Sequence, residues 1–339
     1  MIAPDKTFII AEAGVNHNGS VEIAKRLIEE AGRAGADCVK FQSFRADKLV
    51  SRSAAKAQYQ QRNTESADSQ YEMLRRLELS EEDHRTLLAC CRDNGILFLS
   101  SPFDEDSADL LERLGVPAYK IPSGEVTNHG FLAYLAGKNK PLILSTGMST
   151  LAEVAEAVEA IVATGNAQLH LLHCVTEYPA PFAEINLKAM RTLATAFGFP
   201  VGYSDHTPGS EIAVAAVALG ARIIEKHFTL DRNMPGPDHR ASLEPQELGA
   251  MIRAIRNVER AMGNGIKVPA PCEIKNAIVA RKSVVATRDI ASGERIGREN
   301  VAIKRPGHGI QPRDLEKVMG LRVIADIEAD SVVTWADLR

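Results

Sequence analysis

Between residues 7 and 228, eight short apolar runs alternate with stretches whose apolar positions recur at helical spacing. The runs are TFIIAEAG (7–14), DCVKFQS (37–43), ILFLSSPF (96–103), AYKIPSGE (118–125), PLILSTGM (141–148), LHLLHC (169–174), VGYSDH (201–206) and RIIEKHF (222–228). Most are near-continuous rather than alternating, as expected for strands covered on both faces of a parallel sheet. Thr150-Leu-Ala-Glu153 and Ser80-Glu-Glu-Asp83 read as capping boxes, with a hydroxyl before each helix and a carboxylate one turn in. Gly35, Gly115 and Gly220 each close an apolar helix just before a strand, where a left-handed stop is needed. Eight strand–helix repeats in about 265 residues predict an α/β fold of the (β/α)8 TIM-barrel type. A doubly wound open sheet is the runner-up, but no GxGxxG follows the first strand.

The connection spanning 44–79 is too long for the pattern. It reads either as a lid or binding loop, or as a solvated excursion. A second change comes at Gly263-Asn264-Gly265, followed by VPAPCEIKN, a Gly/Pro-containing linker. The expected division is a catalytic barrel over 1–265, a linker over 266–280 and a small β-rich domain over 281–339, with strand-like runs SVVAT, VAIKR, RVIAD and SVVTW. A domain of that size buries only a modest core and needs support from something larger.

Composition narrows the classes. The 339 residues carry 40 Lys+Arg against 44 Asp+Glu, with no long basic block, so neither nucleic acid nor an anionic membrane surface is an expected partner. No apolar run reaches the roughly 20 residues that span a bilayer. The N-terminal stretch reads as a first strand, not an export signal, because it lacks a basic leader and a cleavage site. Five cysteines at 38, 90, 91, 174 and 272 form neither a disulfide framework nor a zinc motif, which fits a reducing cytoplasm. Cys174 falls near the prospective site, as a small buried hydrophobe or, less in keeping with free cysteines, as a thiol nucleophile.

In a (β/α)8 barrel the C-terminal strand ends face the active site. Here those ends supply Glu12 with Asn16 and His17, Lys40 and Gln42, Ser101, and Lys120 with Ser123 and Glu125. Ser145 and Thr146, His173 and Tyr178, Ser204 with Asp205 and His206, and Glu225 with His227 complete the rim. Two lysines with several hydroxyls suit a phosphate monoester or phosphorylated carboxylic acid held by charge-assisted hydrogen bonds; no P-loop is present. His206 and His227 end adjacent strands, close enough for two imidazoles to share one ion. Such a site polarises a carbonyl as a Lewis acid, and its donor set favours Mn²⁺ or Mg²⁺ over structural zinc. His84, His129, His170, His239 and His308 have no such context.

The runs AEAGVNHNGS, VKFQSF, SSPFDEDS, YKIPSGE, ILSTGMS, LLHCVTEYPAP, GYSDHT, EKHFTLD and PGPDHRASLEP resemble, in order, the bacterial sialic acid synthase family. The segment KRPGHGI resembles that family's appended antifreeze-like (SAF) domain. The resemblance implies condensation of phosphoenolpyruvate with an N-acetylated hexosamine aldehyde to a nine-carbon 2-keto acid and phosphate, with C–O cleavage. It places a divalent cation, usually Mn²⁺, on His206 and His227. It places phosphoenolpyruvate on Lys40, Ser101, Lys120, Ser123, Ser145 and Ser204, with Thr176 standing where some members have Asn. Sugar contacts fall to Glu12, Gln42, Tyr178 and Asp238, and to Arg305 reaching across a domain-swapped homodimer. Lys40 and Lys120 are then expected to stabilise phosphate and carboxylate charge. The attacking water is expected near the cation and Glu125, and Glu12 is expected to orient the aldehyde hydrate or pass protons.

The sugar stays open between N-acetylmannosamine and a 2,4-diacetamido-trideoxy relative giving a legionaminate-type product; a pseudaminate-type synthase fits less well. A Schiff-base aldolase through Lys40 or Lys120 is the enzymatic rival. A non-catalytic barrel that binds ice or carbohydrate leaves the polar strand ends unexplained.

Overall fold

The computed structural model describes residues 6–64 and 68–339, so the N-terminal five residues and part of the long connection, 65–67, lie outside the described residues. The chain divides after Gly263 into two compact units. Among the described residues no helix is long and apolar enough to cross a membrane.

The first unit holds eight parallel strands: β1 (Phe8–Gly14), β2 (Cys38–Ser43), β3 (Leu97–Pro102), β4 (Tyr119–Ile121), β5 (Leu142–Ser145), β6 (Leu169–Cys174), β7 (Val201–Asp205) and β8 (Ile223–His227). Their order is β3-β2-β1-β8-β7-β6-β5-β4, and its two ends, β3 and β4, also lie side by side. The sheet therefore curls into a near-closed barrel, and the open doubly wound alternative is excluded. Both anticipated capping boxes form, Ser80 with Asp83 and Thr150 with Glu153.

Strand β4 departs most from expectation: it ends at Ile121, not near 125. Pro122 has no N–H to continue the ladder, and the chain enters a short 3-10 turn, Ser123–Glu125.

The barrel interior is layered. One buried cluster gathers Phe8, Ile10, Cys38, Leu99, Ala118 (just before β4), Ile143, Leu172 and Ile223, and β7 adds no side chain to it. Its residue at this level is Gly202, where an added Cβ would stand 2.7 Å from Leu172 and 2.4 Å from the Ile223 carbonyl oxygen. Strand side chains repeat with period 2, so the next inward residue along each strand is Glu12, Lys40, Ser101, Lys120, Ser145, Cys174, Ser204 or Glu225. An apolar plug thus carries a polar floor at the C-terminal mouth.

The long connection is built, not merely solvated. It forms helices Ala46–Leu49, Gln58–Thr64 and Gln70–Arg75. Val15, Phe44, Ala46, Tyr71, Met73, Leu74 and Leu77 make a small core of its own, with Leu49, Val50 and Phe103 packed against it.

The second unit has one regular antiparallel pair, Ser283–Ala286 with Val301–Lys304. The expected runs near 322 and 331 contribute single bridges rather than full strands, including Val323 to Leu338 and Val285 to Val332. A helix, Ile274–Ala280, occupies the end of the expected linker.

Candidate active site

The polar floor opens into a cavity of about 290 Å³. Glu12, Lys40, Gln42, Ser101, Lys120, Ser123, Ser145, Thr176, Tyr178, Ser204, His206, His227 and Asp238 all line it. Of the strand-end residues expected at this rim, Asn16, His17, Glu125, Thr146, His173 and Asp205 do not line it. Glu125 sits in the turn after β4, outside the lining, where its carboxylate accepts a hydrogen bond from Asn128 Nδ2 at 2.8 Å. Arg305 belongs to the second unit.

At the centre lie two lysines and two carboxylates. Lys40 Nζ stands 2.7 Å from Glu12 Oε2 and 3.6 Å from Glu225 Oε2, and Lys120 Nζ is 3.3 Å from Glu225 Oε1. Register puts Glu12 opposite Lys40 and Ser204 opposite Glu225, whose Oε1 also accepts from the Ser204 hydroxyl at 2.8 Å. Lys40 donates to Ser101 Oγ at 3.2 Å, and Gln42 Nε2 to Glu12 Oε1 at 3.4 Å.

The two carboxylates behave differently. Burial raises Glu12 to about 7 despite Lys40. Burial opposes charge on Glu225 as well, but Lys120, Lys40 and the Ser204 hydroxyl together hold it down near 2. Burial works against the Lys40 ammonium, yet Glu12 and Glu225 outweigh it and raise the group; Lys120 is lowered, chiefly by burial.

Hydroxyls complete the cradle. Ser145 Oγ and Thr176 Oγ1 are buried without a protein partner, and such groups are costly unless something bonds them. Ser123 Oγ accepts from the Gly147 N–H at 2.9 Å and lies 3.1 Å from Cys174 Sγ. A Cβ at Gly147 would come within 2.2 Å of Thr176 Oγ1, so this side of the cradle closes only around glycine. Burial pushes the Cys174 thiol up, the opposite of what activates a nucleophile.

His206 and His227 stand with ring centroids 5.4 Å apart. Val175 O accepts from His206 Nδ1 at 2.6 Å, which leaves Nε2 as the lone-pair nitrogen. His227 Nδ1 is buried without a partner, and burial lowers both imidazoles, keeping them neutral. Two neutral nitrogens, one oriented by a carbonyl, fit a divalent cation. Among the described residues no group of three or more His, Cys, Asp or Glu is arranged to hold one. The remaining positions of such an ion fall to water and substrate.

The rim is aromatic and, on one side, apolar. Tyr178 packs on His206 at 4.3 Å and edge-on to His227 at 5.4 Å, and Tyr59 from the long connection packs on Tyr178 at 4.9 Å. Asp238 is buried, which raises its carboxyl to about 6. Val15, Leu49, Val50, Met73, Leu74, Leu77 and Phe103 form the apolar wall.

Two contributors had weaker signals in the sequence. Glu225 is named there only as a strand end, though its spacing two before His227 puts both on one strand face. Tyr59 lies in a polar stretch that carries no motif.

A deep barrel-mouth pocket with paired cations, a floor of hydroxyls and two neutral imidazoles defines an enzyme acting on a small anionic substrate. The NeuB family model matches residues 27–267 and the SAF domain model residues 281–339. The chain belongs to the NeuB family. It is 51% identical over 330 residues to the N,N'-diacetyllegionaminic acid synthase of Campylobacter jejuni, covering 97% of this chain and 99% of that one. Identity to the Legionella pneumophila enzyme of the same name is 47%, over 97% and 93% of the two chains. With the mouse N-acetylneuraminate-9-phosphate synthase it is 37%, over 96% and 91%. The crystal structure of an N-acetylneuraminic acid synthetase from Leptospira borgpetersenii, in complex with citrate, superposes with a TM-score of 0.72 at 34% identity, covering 81% of this chain and 92% of that one.

Proposed function

We propose that this protein condenses phosphoenolpyruvate with 2,4-diacetamido-2,4,6-trideoxymannose to give a legionaminate-type nine-carbon 2-keto acid and inorganic phosphate. The reaction class rests on one observation: two buried lysines, unpartnered hydroxyls and two neutral imidazoles line the same cavity. Lys40, Lys120, Ser101, Ser123, Ser145, Thr176 and Ser204 hold the phosphate and carboxylate of phosphoenolpyruvate by charge-assisted hydrogen bonds. Gln42, Tyr178 and Asp238 hold the open-chain sugar, and Arg305 of the second unit, in a swapped homodimer, contacts its acetamido group.

The enol carbon of phosphoenolpyruvate attacks the aldehyde carbon, and the aldehyde oxygen takes up a proton. Water then adds at the adjacent carbon, and the tetrahedral adduct expels phosphate with cleavage of the C–O bond. A divalent cation, Mn²⁺ by preference, held on His206 and His227 would supply Lewis-acid polarisation of the aldehyde. Glu12, bonded to Lys40 and Gln42, passes the protons. Glu225, held charged between the lysines, fixes their ammonium groups where negative charge accumulates. The Glu125 role expected from the sequence has no support in its position.

The choice of sugar rests on the 51% and 47% identities to diacetyllegionaminate synthases and on the apolar wall. The trideoxy sugar carries a methyl group where N-acetylmannosamine carries a hydroxymethyl, and an added acetamido group at C4. A hydrophobic wall favours the methyl by about tenfold or more. Purified enzyme assayed against both aldehydes at equal concentration is expected to show that preference in kcat/KM. Equal or reversed rates would contradict the sugar assignment while leaving the condensation intact.

A further inference from the structure

We infer that the Asp205–Lys226 ion pair is a positioning strut that sets the two imidazoles of the cation site; this rests on the assignment of His206 and His227 as the cation's ligands. Both side chains are fully buried, and Lys226 Nζ stands 2.7 Å from Asp205 Oδ2. Neither residue lines the cavity. Period-2 alternation explains why: Ser204 on β7 and His206 just past its end face inward, as do Glu225 and His227 on β8, so Asp205 and Lys226 lie between them on the outer face.

The strut's bonds bracket His206. Asp205 Oδ1 accepts from Thr207 N at 2.9 Å and from Thr207 Oγ1 at 2.8 Å, tying together the residues on either side of the histidine. Lys226 Nζ donates to Thr207 O at 2.5 Å, so the residue beside His227 grips the residue beside His206. Asp205 and Lys226 are also register partners in the β7–β8 ladder. The ring of His206 is fixed separately, through Nδ1 to Val175 O. Strand β7 ends at Asp205, so His206 itself lies past the ladder, and the strut continues the connection between strands one residue further.

Stability alone does not account for such a pair. Burying two charges costs desolvation that their attraction only roughly repays, and apolar replacements are often as stable. What apolar residues cannot supply is the set of directed bonds around residues 205–207. Outer-sphere partners of this kind typically change metal affinity by about 10–100-fold when removed.

The test is Mn²⁺ titration of the full chain, followed by the electron paramagnetic resonance of free Mn²⁺. Single replacement of Asp205 would strand a buried ammonium, so the first variant is Asp205→Leu/Lys226→Met, which removes both charges. It is expected to melt cooperatively, to keep its affinity for phosphoenolpyruvate, and to bind Mn²⁺ about 10–100-fold more weakly than the parent. Wild-type Mn²⁺ affinity in the folded double variant overturns the strut. Thr207→Val keeps the ion pair and removes one bond of the bracket; a severalfold loss of Mn²⁺ affinity is expected. If the double variant does not fold, Thr207→Val decides, and unchanged affinity there overturns the proposal. A parent protein that binds no Mn²⁺ removes the cation assignment and the strut together, whereas a binding parent with unaffected variants removes the strut alone.

Discussion

Two carboxylates separate what the sequence shows from what only packing decides. Glu125 and Glu225 both sit beside catalytic-looking motifs, YKIPSGE and EKHFTLD. Pro122 ends β4 early and turns Glu125 out of the lining. Strand alternation keeps Glu225 on the same inward face as His227, within reach of both lysines. Replacing Glu225 by Gln should therefore lower kcat/KM for phosphoenolpyruvate by about 10²-fold, the scale of losing a preorganised electrostatic partner. Glu125→Gln should stay within about threefold, as for a surface change. Steady-state kinetics of the two variants decides between them, and the reverse order would restore the water-holding role to Glu125. The residues legible beforehand were those whose type and strand-end position coincide: Lys40, Lys120, Ser145, His206 and His227. The ordering of the two carboxylates needed the length of β4, which apolar patterning reads poorly when a proline follows.

At the scale of elements, the loops after β1 and β8 are tied together by His239 and two asparagines outside the reacting centre. His239 Nε2 donates to Asn18 Oδ1 at 3.1 Å, and its Nδ1 lies 2.6 Å from the Thr229 hydroxyl. His17 Nδ1 accepts from the Gly19 N–H at 3.0 Å, while Asn16 Nδ2 and Asn18 Nδ2 donate to Phe228 O and Pro235 O, each at 2.9 Å. Burial lowers both His17 and His239 to about 4. Because these folded values lie below the usual 6.5, the unfolded chain binds more protons as pH falls. Their contribution is complete above about pH 6.5 and is lost as pH drops through 4, at most about 3 kcal/mol for each. Thermal midpoints measured from pH 7 to 4.5 should fall, and fall less in His239→Gln; an identical slope in the variant would contradict the assignment. The long connection was legible as an anomaly, since a compact barrel rarely places the 36 residues 44–79 between a strand and the helix that follows it. Its apolar wall was not, because Leu49, Val50, Met73, Leu74 and Leu77 sit at irregular intervals among polar residues and meet only when the first and third of the short helices pack.

At the scale of the molecule, the barrel was readable because eight apolar runs leave few topologies, and because each run carries a residue of the polar floor two positions beyond the plug. The small unit was read less well. Its expected strands near 322 and 331 are reduced to single bridges, since short runs in a small domain pair locally without building a ladder. Arg305 lies in that unit, and Arg305→Ala should raise KM for the amino sugar by about tenfold, the loss of one charge-assisted contact, while KM for phosphoenolpyruvate stays within twofold. Equal rises in both would contradict the acetamido contact.

The reaction itself is tested most directly with phosphoenolpyruvate carrying oxygen-18 at the bridging position, turned over with the diacetamido aldehyde and analysed by mass spectrometry. Water attack followed by C–O cleavage sends the label entirely into inorganic phosphate. Label found in the keto acid would contradict the condensation derived from this cavity.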